Sequence, residues 1–357
     1  MVKIRAFMKR KKIVVSLRRY GIDALGAMAQ GLFCSLLIGT IVKTLGTQLG
    51  VQLLTDVGIY AMAVSGPAMA VAIGYALQAD PMVLFSLAAV GWAANAEGGA
   101  GGPLAVLVIA ILAAECGKAV SKETKVDILV TPGVTVLVGV VLARLIAPPI
   151  GAAASAFGGV IHRATALQPF WMGMAVSVLV GIALTLPISS AAICSVLGLT
   201  GLAGGAAVAG CCAQMVGFAV LSFRENRWGG VVSQGLGTSM LQMGNIVRNP
   251  RVWIPPILTS AVTGPLATCV FRLQMNGAPI NSGMGTCGLC GPIGVWTGWF
   301  SPAPEALAKG AQAIVPGWME WVGMVLICVV LPALLTWLFA IPCRRLGWIK
   351  EGDLKLN

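Results

Sequence analysis

The sequence predicts an all-α polytopic membrane protein with about eight to ten transmembrane helices and two re-entrant hairpins rich in glycine and proline. Composition is the first reason: 57% of the 357 residues are hydrophobic, only 10% are charged, and the mean hydropathy is +0.89. A soluble domain cannot bury that much apolar surface. The second reason is that the apolar residues form long runs, and each crossing needs about 20 of them.

The first element is a basic cytoplasmic N-terminal segment, 1–25. It carries eight lysines and arginines before its first acid, Asp23. Positive residues stay on the cytoplasmic side of a membrane, so the segment predicts an inside N-terminus. A second, compatible interpretation is a basic amphipathic arm that lies on anionic lipid. Nucleic-acid binding is not predicted, because no folded reading module accompanies the charge.

Scaffold and dimerisation helices are predicted over 26–150. Five apolar runs predict crossings there, at about 26–47, 57–77, 82–95, 104–117 and 128–147. The third run ends at a glycine-rich break and the fifth ends at Pro148 and Pro149. Four crossings return the chain to the cytoplasmic side at 118–125, where three lysines agree with the positive-inside rule.

An interfacial helix is predicted at 151–168, a transport domain at 169–342, and a cytoplasmic tail at 343–357. The interfacial segment is less apolar than its neighbours and contains the only histidine. In the transport domain the apolar runs alternate with segments of small and polar residues. The tail begins with basic residues, which places the C-terminus inside as well.

Residues 276–294 are the hardest segment to place against lipid. They are rich in glycine and contain two prolines and a CxxC. Irregular backbone at membrane depth is tolerated only when it is buried in protein or lines a watery cavity. Broken segments of this kind expose amides and carbonyls to a substrate. We therefore expect re-entrant hairpins at 276–294 and 229–245; the alternative for both is an extramembrane loop packed on the helix ends.

Neutral polar side chains on these two segments predict a site for a polar, largely uncharged solute, because amides and hydroxyls pair with sugar hydroxyls. The candidate ligands are Gln234, Ser239 and Asn245 on one segment, and Asn281, Ser282 and Thr286 on the other. The sequence contains no relay of acids for a proton pump, and no P-loop, nucleophile elbow or zinc signature. We therefore predict no catalytic residue, no cofactor and no metal.

Three ionisable residues complete the candidate site, each with a plainer alternative. Glu97 could bind substrate hydroxyls or a cation, and the alternative is a loop residue at the outer surface. Glu225 could guard the approach to 229–245, and the alternative is a local ion pair with Arg224 and Arg227. His162 is a candidate as the single histidine, although on an interfacial helix it is more often structural.

The segment "IVRNPRVWIPPILTSAVTGPLATCVF", 246–271, resembles a known family. Its pattern Asn-Pro-x-x-Trp-Ile-Pro is similar to the membrane subunits (EIIC) of the bacterial sugar phosphotransferase system, in the glucose and diacetylchitobiose superfamily. The chain looks closest to the stand-alone EIIC-like, perfringolysin regulator-like group. The likeness covers nearly the full length, and its specific part is 225–294. A proline- and glycine-rich hairpin follows the motif in that family, as 276–294 does here.

The resemblance implies a homodimer in the bacterial inner membrane, with a scaffold half and a transport half that moves a sugar across by alternating access. It also implies separate IIA and IIB proteins, because this chain contains no such domain. The chain departs from the sugar-transporting relatives in lacking a Gly-Ile-Thr-Glu-like motif and any identifiable phosphoryl carrier. Two alternatives to transport by phosphotransfer therefore remain: a membrane sensor or regulator, and a carrier that is not coupled to phosphotransfer. An enzymatic role extends at most to the membrane component of a sugar phosphotransferase.

Overall fold

The computed structural model describes residues 2–16 and 18–356. Met1, Leu17 and Asn357, which belong to the expected N-terminal segment and tail, lie outside the described residues. Within the described part the chain is helical and contains no β-sheet; one isolated antiparallel bridge joins Gly201 and Met275. The predicted all-α class is confirmed. Two compact units form, Met1–Ala153 (unit 1) and Ala154–Asn357 (unit 2).

Unit 1 contains eight helices within its described residues. They are α1 (Val2–Arg10), α2 (Ala24–Leu32), α3 (Ile38–Leu49), α4 (Gln52–Ala63), α5 (Ser65–Ala76), α6 (Pro81–Gly98), α7 (Gly102–Val120) and α8 (Asp127–Ala164), whose last turns belong to unit 2. π-helical turns at Arg19–Asp23 and Phe33–Leu37 continue α2 and α3 into one helical stretch. The pairs α5/α6, α6/α7 and α2/α5 pack against each other.

Unit 2 contains the remaining helices: α9 (Pro169–Thr185), α10 (Ser190–Val196), α11 (Gly201–Leu221), α12 (Phe223–Val232), α13 (Met243–Arg248), α14 (Ile254–Pro265), α15 (Pro279–Ser282), α16 (Cys290–Phe300), α17 (Pro304–Leu307), α18 (Trp318–Val325) and α19 (Leu331–Arg345). Several begin at a proline that follows an extended residue, as Gln168 precedes Pro169. Proline suits the first turn because the N–H it lacks would have no partner there.

Six helical stretches in the described part are long and apolar enough to cross a membrane, and seven if the bent pair Gln52–Ala63 and Ser65–Ala76 is one span. The stretch Pro81–Val120 includes both α6 and α7, and the apolar helix α9 is shorter than the rest. These stretches support the prediction of a polytopic membrane protein. A 3₁₀ turn at Gly99–Gly101 separates α6 from α7, and it lies inside the glycine-rich segment where the sequence predicts the end of a helix.

The expected helix end at Pro148 and Pro149 is not observed. The helix α8 continues through both prolines to Ala164, so residues 151–164 extend it instead of forming a separate element. A proline inside a helix removes one backbone hydrogen bond and bends the helix. Helices in membranes tolerate this because neighbouring groups satisfy the freed carbonyls.

Helix α11 forms the centre of unit 2, and 94% of its most apolar 18-residue stretch is buried. Helices α9, α14 and α19 pack around it. Val208, Ala209 and Cys212 of α11 form one buried cluster with Ile327, Trp299 and Met275. Small side chains on α11 allow this close packing, since backbones can approach where no large side chain intervenes.

Candidate functional site

The polar centre of unit 2 is built around Gln214, the single amide in the apolar helix α11. Its side chain is fully buried. Its Oε1 accepts a hydrogen bond from Trp253 Nε1 at 2.8 Å, and its Nε2 donates to Ser260 Oγ at 3.3 Å. Thr185 Oγ1 lies 3.3 Å from Gln214 Oε1 and 2.8 Å from Ser239 Oγ. The network therefore joins α9, α11, α14 and the segment that carries Ser239.

A second chain of buried amides starts at Gln234. Its Nε2 donates to Ser222 Oγ at 2.8 Å, and its Oε1 accepts from Gln242 Nε2 at 2.9 Å. Gln242 Oε1 in turn accepts from Asn245 Nδ2 at 2.7 Å. These residues lie on a π-helical turn, a 3₁₀ turn and α13, in place of one regular helix. The break in the helix is what allows Gln234 and Gln242, eight positions apart, to form a hydrogen bond.

The C-terminal segment 348–356 occupies the remaining donors of these amides. Gln242 Nε2 and Asn226 Nδ2 both donate to the Leu354 carbonyl oxygen, at 3.0 and 2.8 Å, and Asn245 Nδ2 donates to that of Lys355 at 3.0 Å. Asn226 Oδ1 accepts from Leu356 N at 2.9 Å. The Leu354 side chain is fully buried. The tail is thus bound like a ligand, through backbone groups.

Asn249 extends the contact with the tail. Its Nδ2 donates to the Trp348 carbonyl oxygen at 2.8 Å and to Asp353 Oδ2 at 2.9 Å. The Arg251 guanidinium lies 5.7 Å from the Trp348 ring centroid, within the range of a cation–π contact. The Asn-Pro-x-x-Trp motif therefore anchors two things: Trp253 binds Gln214, and Asn249 binds the tail.

The glycine-rich segment 276–294 is compact and packs on α11. The short helix α15 contacts α10 and α11, and the turn Cys287–Leu289 contacts the turn Ser233–Gly237. The two segments that were expected to share a site therefore touch each other. Gly285 has φ +53° and lies against the Cys211 backbone, a conformation and a closeness that favour glycine.

The three predicted ligands on this segment differ in their freedom to bind a solute. Ser282 is buried, with its Oγ 2.6 Å from the Pro279 carbonyl oxygen and 3.0 Å from that of Leu199. Thr286 is also buried, and its nearest polar partner is Met215 Sδ at 3.7 Å. Asn281 is half-buried, and its amide makes no hydrogen bond within 2–16 and 18–356. Asn281 is the candidate whose polar atoms are available.

Glu225 also has an unused polar atom. Its Oε2 is buried and has no hydrogen-bond partner in the described part of the chain. No ion pair with Arg224 or Arg227 forms there, so the local pairing expected as an alternative is not observed among these residues. Arg227, two residues later, has φ +51°, which is unusual for a residue with a side chain. A donor such as a hydroxyl would satisfy this carboxylate.

Glu97 and His162 do not join the polar centre of unit 2 by any described contact. Glu97 belongs to unit 1 and forms an ion pair with Arg144, 3.2 Å from its Nε. His162 is exposed near the end of α8, and its ring makes no hydrogen bond within the described residues. Cys287 and Cys290 are buried and form no disulfide within the described residues.

Five residues of this site are not among the ligands predicted from the sequence: Gln214, Gln242, Asn226, Asn249 and Trp253. Gln214 and Gln242 are isolated amides in apolar or glycine-rich surroundings, as Gln234 is. The sequence feature that makes Gln234 a candidate ligand is therefore present at these two positions as well. Asn226, Asn249 and Trp253 gave no such signal as ligands, because their partners are more than 35 positions away.

A cavity of 510 Å³ lies beside α12 and α19. Its lining includes the aromatic residues Phe223, Trp228 and Trp337 and the cations Arg224 and Arg344. None of the predicted ligands lines it. Its walls are mostly apolar, whereas a polar solute requires several convergent polar groups.

The family model described as "Phosphotransferase system, EIIC" matches residues 22–356 of the chain. This match covers both units and every candidate site residue. No curated protein matches the chain significantly, and neither does any solved structure.

Proposed function

Because the chain belongs to the EIIC family of the phosphotransferase system, and is thus a membrane transport component of that type, we propose that it binds a sugar or a similar polar solute in unit 2 and translocates it by alternating access. One observation carries this proposal. The two glycine-rich segments contact α11 and each other, so the turn that begins the buried amides of 233–245 lies against the segment that contains Asn281. The Asn281 amide makes no hydrogen bond within the described residues.

The chemistry of the residues supports a neutral solute. The polar centre consists of amides and hydroxyls. In the same unit the Glu225 carboxylate keeps a buried acceptor oxygen that has no partner within the described residues. Amides and a carboxylate together can accept from and donate to sugar hydroxyls. Polar groups buried this deeply in a membrane protein are costly unless they serve packing or binding.

We expect Asn281→Ala to weaken solute binding by roughly twofold to tenfold, as the loss of one hydrogen bond would, and to leave folding intact. The amide makes no hydrogen bond within the protein that its removal would break. A thermal-shift screen of sugars and small organic acids on the purified protein would identify the probe, and titration of that probe would give both affinities. Asn95→Ala, at a half-buried asparagine of unit 1, is the matched control. Equal affinities for all three proteins would remove Asn281 from the site.

The tail occupies amide groups that a solute would need. In the structure it occupies the free donors of Gln242, Asn245 and Asn226. A solute that used the same amides would have to displace residues 354–356. We propose that the tail closes this end of the site and leaves it when solute binds.

We predict that Leu354→Ala loosens the tail and strengthens solute binding. Removal of a fully buried leucine side chain costs about 2–5 kcal/mol, and Ile349 is the other buried apolar side chain of the segment 348–356. Hydrogen exchange at 353–356 should become faster, and the affinity for the probe found in the screen should rise. Leu346→Ala, at a leucine that is 63% exposed, should change neither. Faster exchange with unchanged affinity would show that the tail is held but does not compete with solute.

The occupied amides also favour a second candidate function, a sensor that keeps the EIIC fold and binds solute without carrying it. A tail that is displaced by solute would signal binding to the cytoplasm. The missing Gly-Ile-Thr-Glu-like motif is consistent with this alternative. Uptake of labelled solute into vesicles that contain the protein, with and without IIA and IIB proteins and a phosphoryl donor, separates the three possibilities. Uptake only with the partners indicates coupled transport, uptake without them indicates an uncoupled carrier, and binding without uptake indicates a sensor.

We predict that both termini face the cytoplasm of a bacterial inner membrane. The basic groups at 1–19 and 344–350 would both contradict the positive-inside rule in any other arrangement. Single cysteines introduced at either end should resist a membrane-impermeant thiol reagent in intact cells and react after permeabilisation. Labelling of either terminus in intact cells would contradict this topology.

A homodimer remains part of the proposal, with separate IIA and IIB proteins as partners. Its support is the family membership. Within one chain, Gly66 already serves close helix packing against the Gly91 backbone. Small residues of this kind suit helix–helix contacts in membranes. Native mass spectrometry that showed only monomer in mild detergent would count against the dimer.

A further inference from the structure

Unit 1 contains a second polar site that the proposed function does not use. A cavity of 300 Å³, the basic cavity, is lined by the cations Arg10, Lys11, Lys12, Lys118 and Lys122. Its carboxylates are Asp80 and Glu123. The lining comes from the end of α1 and from the connections after α5 and α7. Residues far apart in sequence therefore contribute positive charge to one small volume.

The two inner cations are already engaged. Lys118 is 2% exposed, and its Nζ lies 3.0 Å from the Leu77 carbonyl oxygen and 2.8 Å from Glu115 Oε2. Lys11 Nζ donates to the Ser121 carbonyl oxygen and lies 2.5 Å from Glu123 Oε1. These contacts satisfy carbonyl groups at the ends of helices, which is an ordinary role for lysine. The inner cations thus form the floor of the cavity.

The three outer cations remain accessible to a ligand. Arg10 Nη2 lies 2.7 Å from Glu123 Oε1, and Lys122 Nζ lies 3.0 Å from Asp80 Oδ1, yet these side chains are 63% and 70% exposed. Lys12 is exposed, and its ammonium has no hydrogen bond or ion pair within 2–16 and 18–356. The neighbouring acids Glu115 and Asp127, which contact lining lysines, bring the carboxylates to four. Arg19, which donates to the Lys12 and Leu77 carbonyl oxygens, brings the cations to six, so an excess of two positive charges remains.

The backbone fixes the positions of these groups. Lys12, Gln78 and Lys122 have φ values of +54°, +54° and +60°, and all three line the basic cavity. Each residue turns the chain sharply just after a helix, so three chain reversals meet at one place. Side chains on such turns start from defined positions, which lowers the cost of gathering them around a ligand.

The carboxylates do not neutralise the cavity by taking up protons at neutral pH. Burial by itself would raise the pKa of Asp80, but hydrogen bonds from Lys122 and Ser121 outweigh it and lower that pKa below its ordinary value. The hydrogen bond from Lys11 lowers the pKa of Glu123. Both acids therefore stay ionised and hold their cations in place.

We propose that the basic cavity binds a phosphate group, supplied by an anionic lipid headgroup or by free phosphate. A phosphate carries one or two negative charges and several acceptor oxygens, which match an excess of two positive charges and donors that approach from three segments. A planar guanidinium next to ammonium groups is a common arrangement for phosphate. Basic pockets on the cytoplasmic side of membrane proteins bind lipid headgroups in this way, and residues 118–125 are expected on that side.

Two triple variants test the proposal. The cavity variant is Arg10→Gln, Lys12→Gln and Lys122→Gln, and the matched control is Lys9→Gln, Arg18→Gln and Lys125→Gln. Both remove the same charges from the same two stretches of chain, and the control residues are exposed and do not line the cavity. The full-length proteins are placed in phosphatidylcholine nanodiscs and titrated with inorganic phosphate at constant ionic strength, with the midpoint of thermal unfolding as readout. In parallel, native mass spectrometry counts retained phosphatidylglycerol after preparation in mixed lipid.

We expect the cavity variant to bind phosphate or phosphatidylglycerol roughly tenfold more weakly than the unmodified protein, since charge-assisted hydrogen bonds are lost. The control should change affinity by less than about twofold, because exposed charges contribute little. Loss confined to phosphatidylglycerol identifies a lipid headgroup, and loss confined to inorganic phosphate identifies a free ligand. Equal loss in both variants, or no binding of either probe to the unmodified protein, overturns the proposal. If the triple variant does not fold, Lys12→Gln against Lys9→Gln applies the same test, because the Lys12 ammonium supports no internal contact.

Discussion

Among substitutions that add one methyl group at the α9/α11 contact, Gly210→Ala should destabilise the protein most. We expect little folded protein to be recovered. A Cβ atom at this position would overlap the Ser177 carbonyl oxygen and would lie 2.5 Å from the Ser177 carbonyl carbon. The obstacle is backbone, so no side chain can rotate away. Overpacking of this kind costs about 1–3 kcal/mol and more where the surroundings are rigid. The yield in mild detergent and the unfolding midpoint are the measurements.

Gly159→Ala in α8 is the control for this change. A Cβ atom there would meet nothing within 4 Å. Alanine is the better helix former by about 1 kcal/mol, so this variant should be as stable as the unmodified protein or slightly more so. The two substitutions are chemically identical, and only the packing differs. If Gly210→Ala were as stable as Gly159→Ala, the close approach of α9 and α11 described above would be wrong.

Gln214→Leu should lower the free energy of unfolding by about 1–3 kcal/mol, the cost of leaving a buried polar group unpaired, and should also abolish solute binding. The substitution removes the acceptor of the Trp253 indole N–H. Thr185 and Ser260 keep other partners, Ser239 Oγ at 2.8 Å and the Pro256 carbonyl oxygen at 3.0 Å. Most of the cost therefore falls on Trp253, the last residue of the 3₁₀ turn Pro250–Trp253 that precedes α14. Thermal unfolding and titration of the solute probe give the two effects.

Gln312→Leu provides the comparison for this second change, because Gln312 is exposed and makes no side-chain hydrogen bond in the described part of the chain. Its unfolding midpoint and its affinity for solute should equal those of the unmodified protein. A stable Gln214→Leu variant that still binds solute would show that the amide serves packing only. The site would then be reduced to the amides of 234–245 and the segment around Asn281.

The sequence alone was sufficient for the fold class and for the family. Hydropathy reports how much surface must avoid water, so long apolar runs predict membrane helices whatever their neighbours are. The pattern Asn249-Pro250-x-x-Trp253 is local, and local motifs can be read without tertiary structure. The glycine-rich segment 276–294 could likewise be recognised as irregular, because glycine and proline act on the backbone at their own positions. The end of the fifth run was misplaced, since α8 continues through Pro148 and Pro149.

Only the tertiary structure decided which polar groups meet. Gln234 and Asn245 were visible as candidates, but their hydrogen bonds to Ser222, Gln242 and the tail depend on a break in the helix at 233–242. The tail residue Leu354 lies more than 100 positions from Asn226, which binds its carbonyl oxygen. Such a contact uses backbone groups, which every residue possesses, so no side-chain pattern marks it. Periodicity shows which face of a helix is buried, but the partner on that face is determined by how the helices pack.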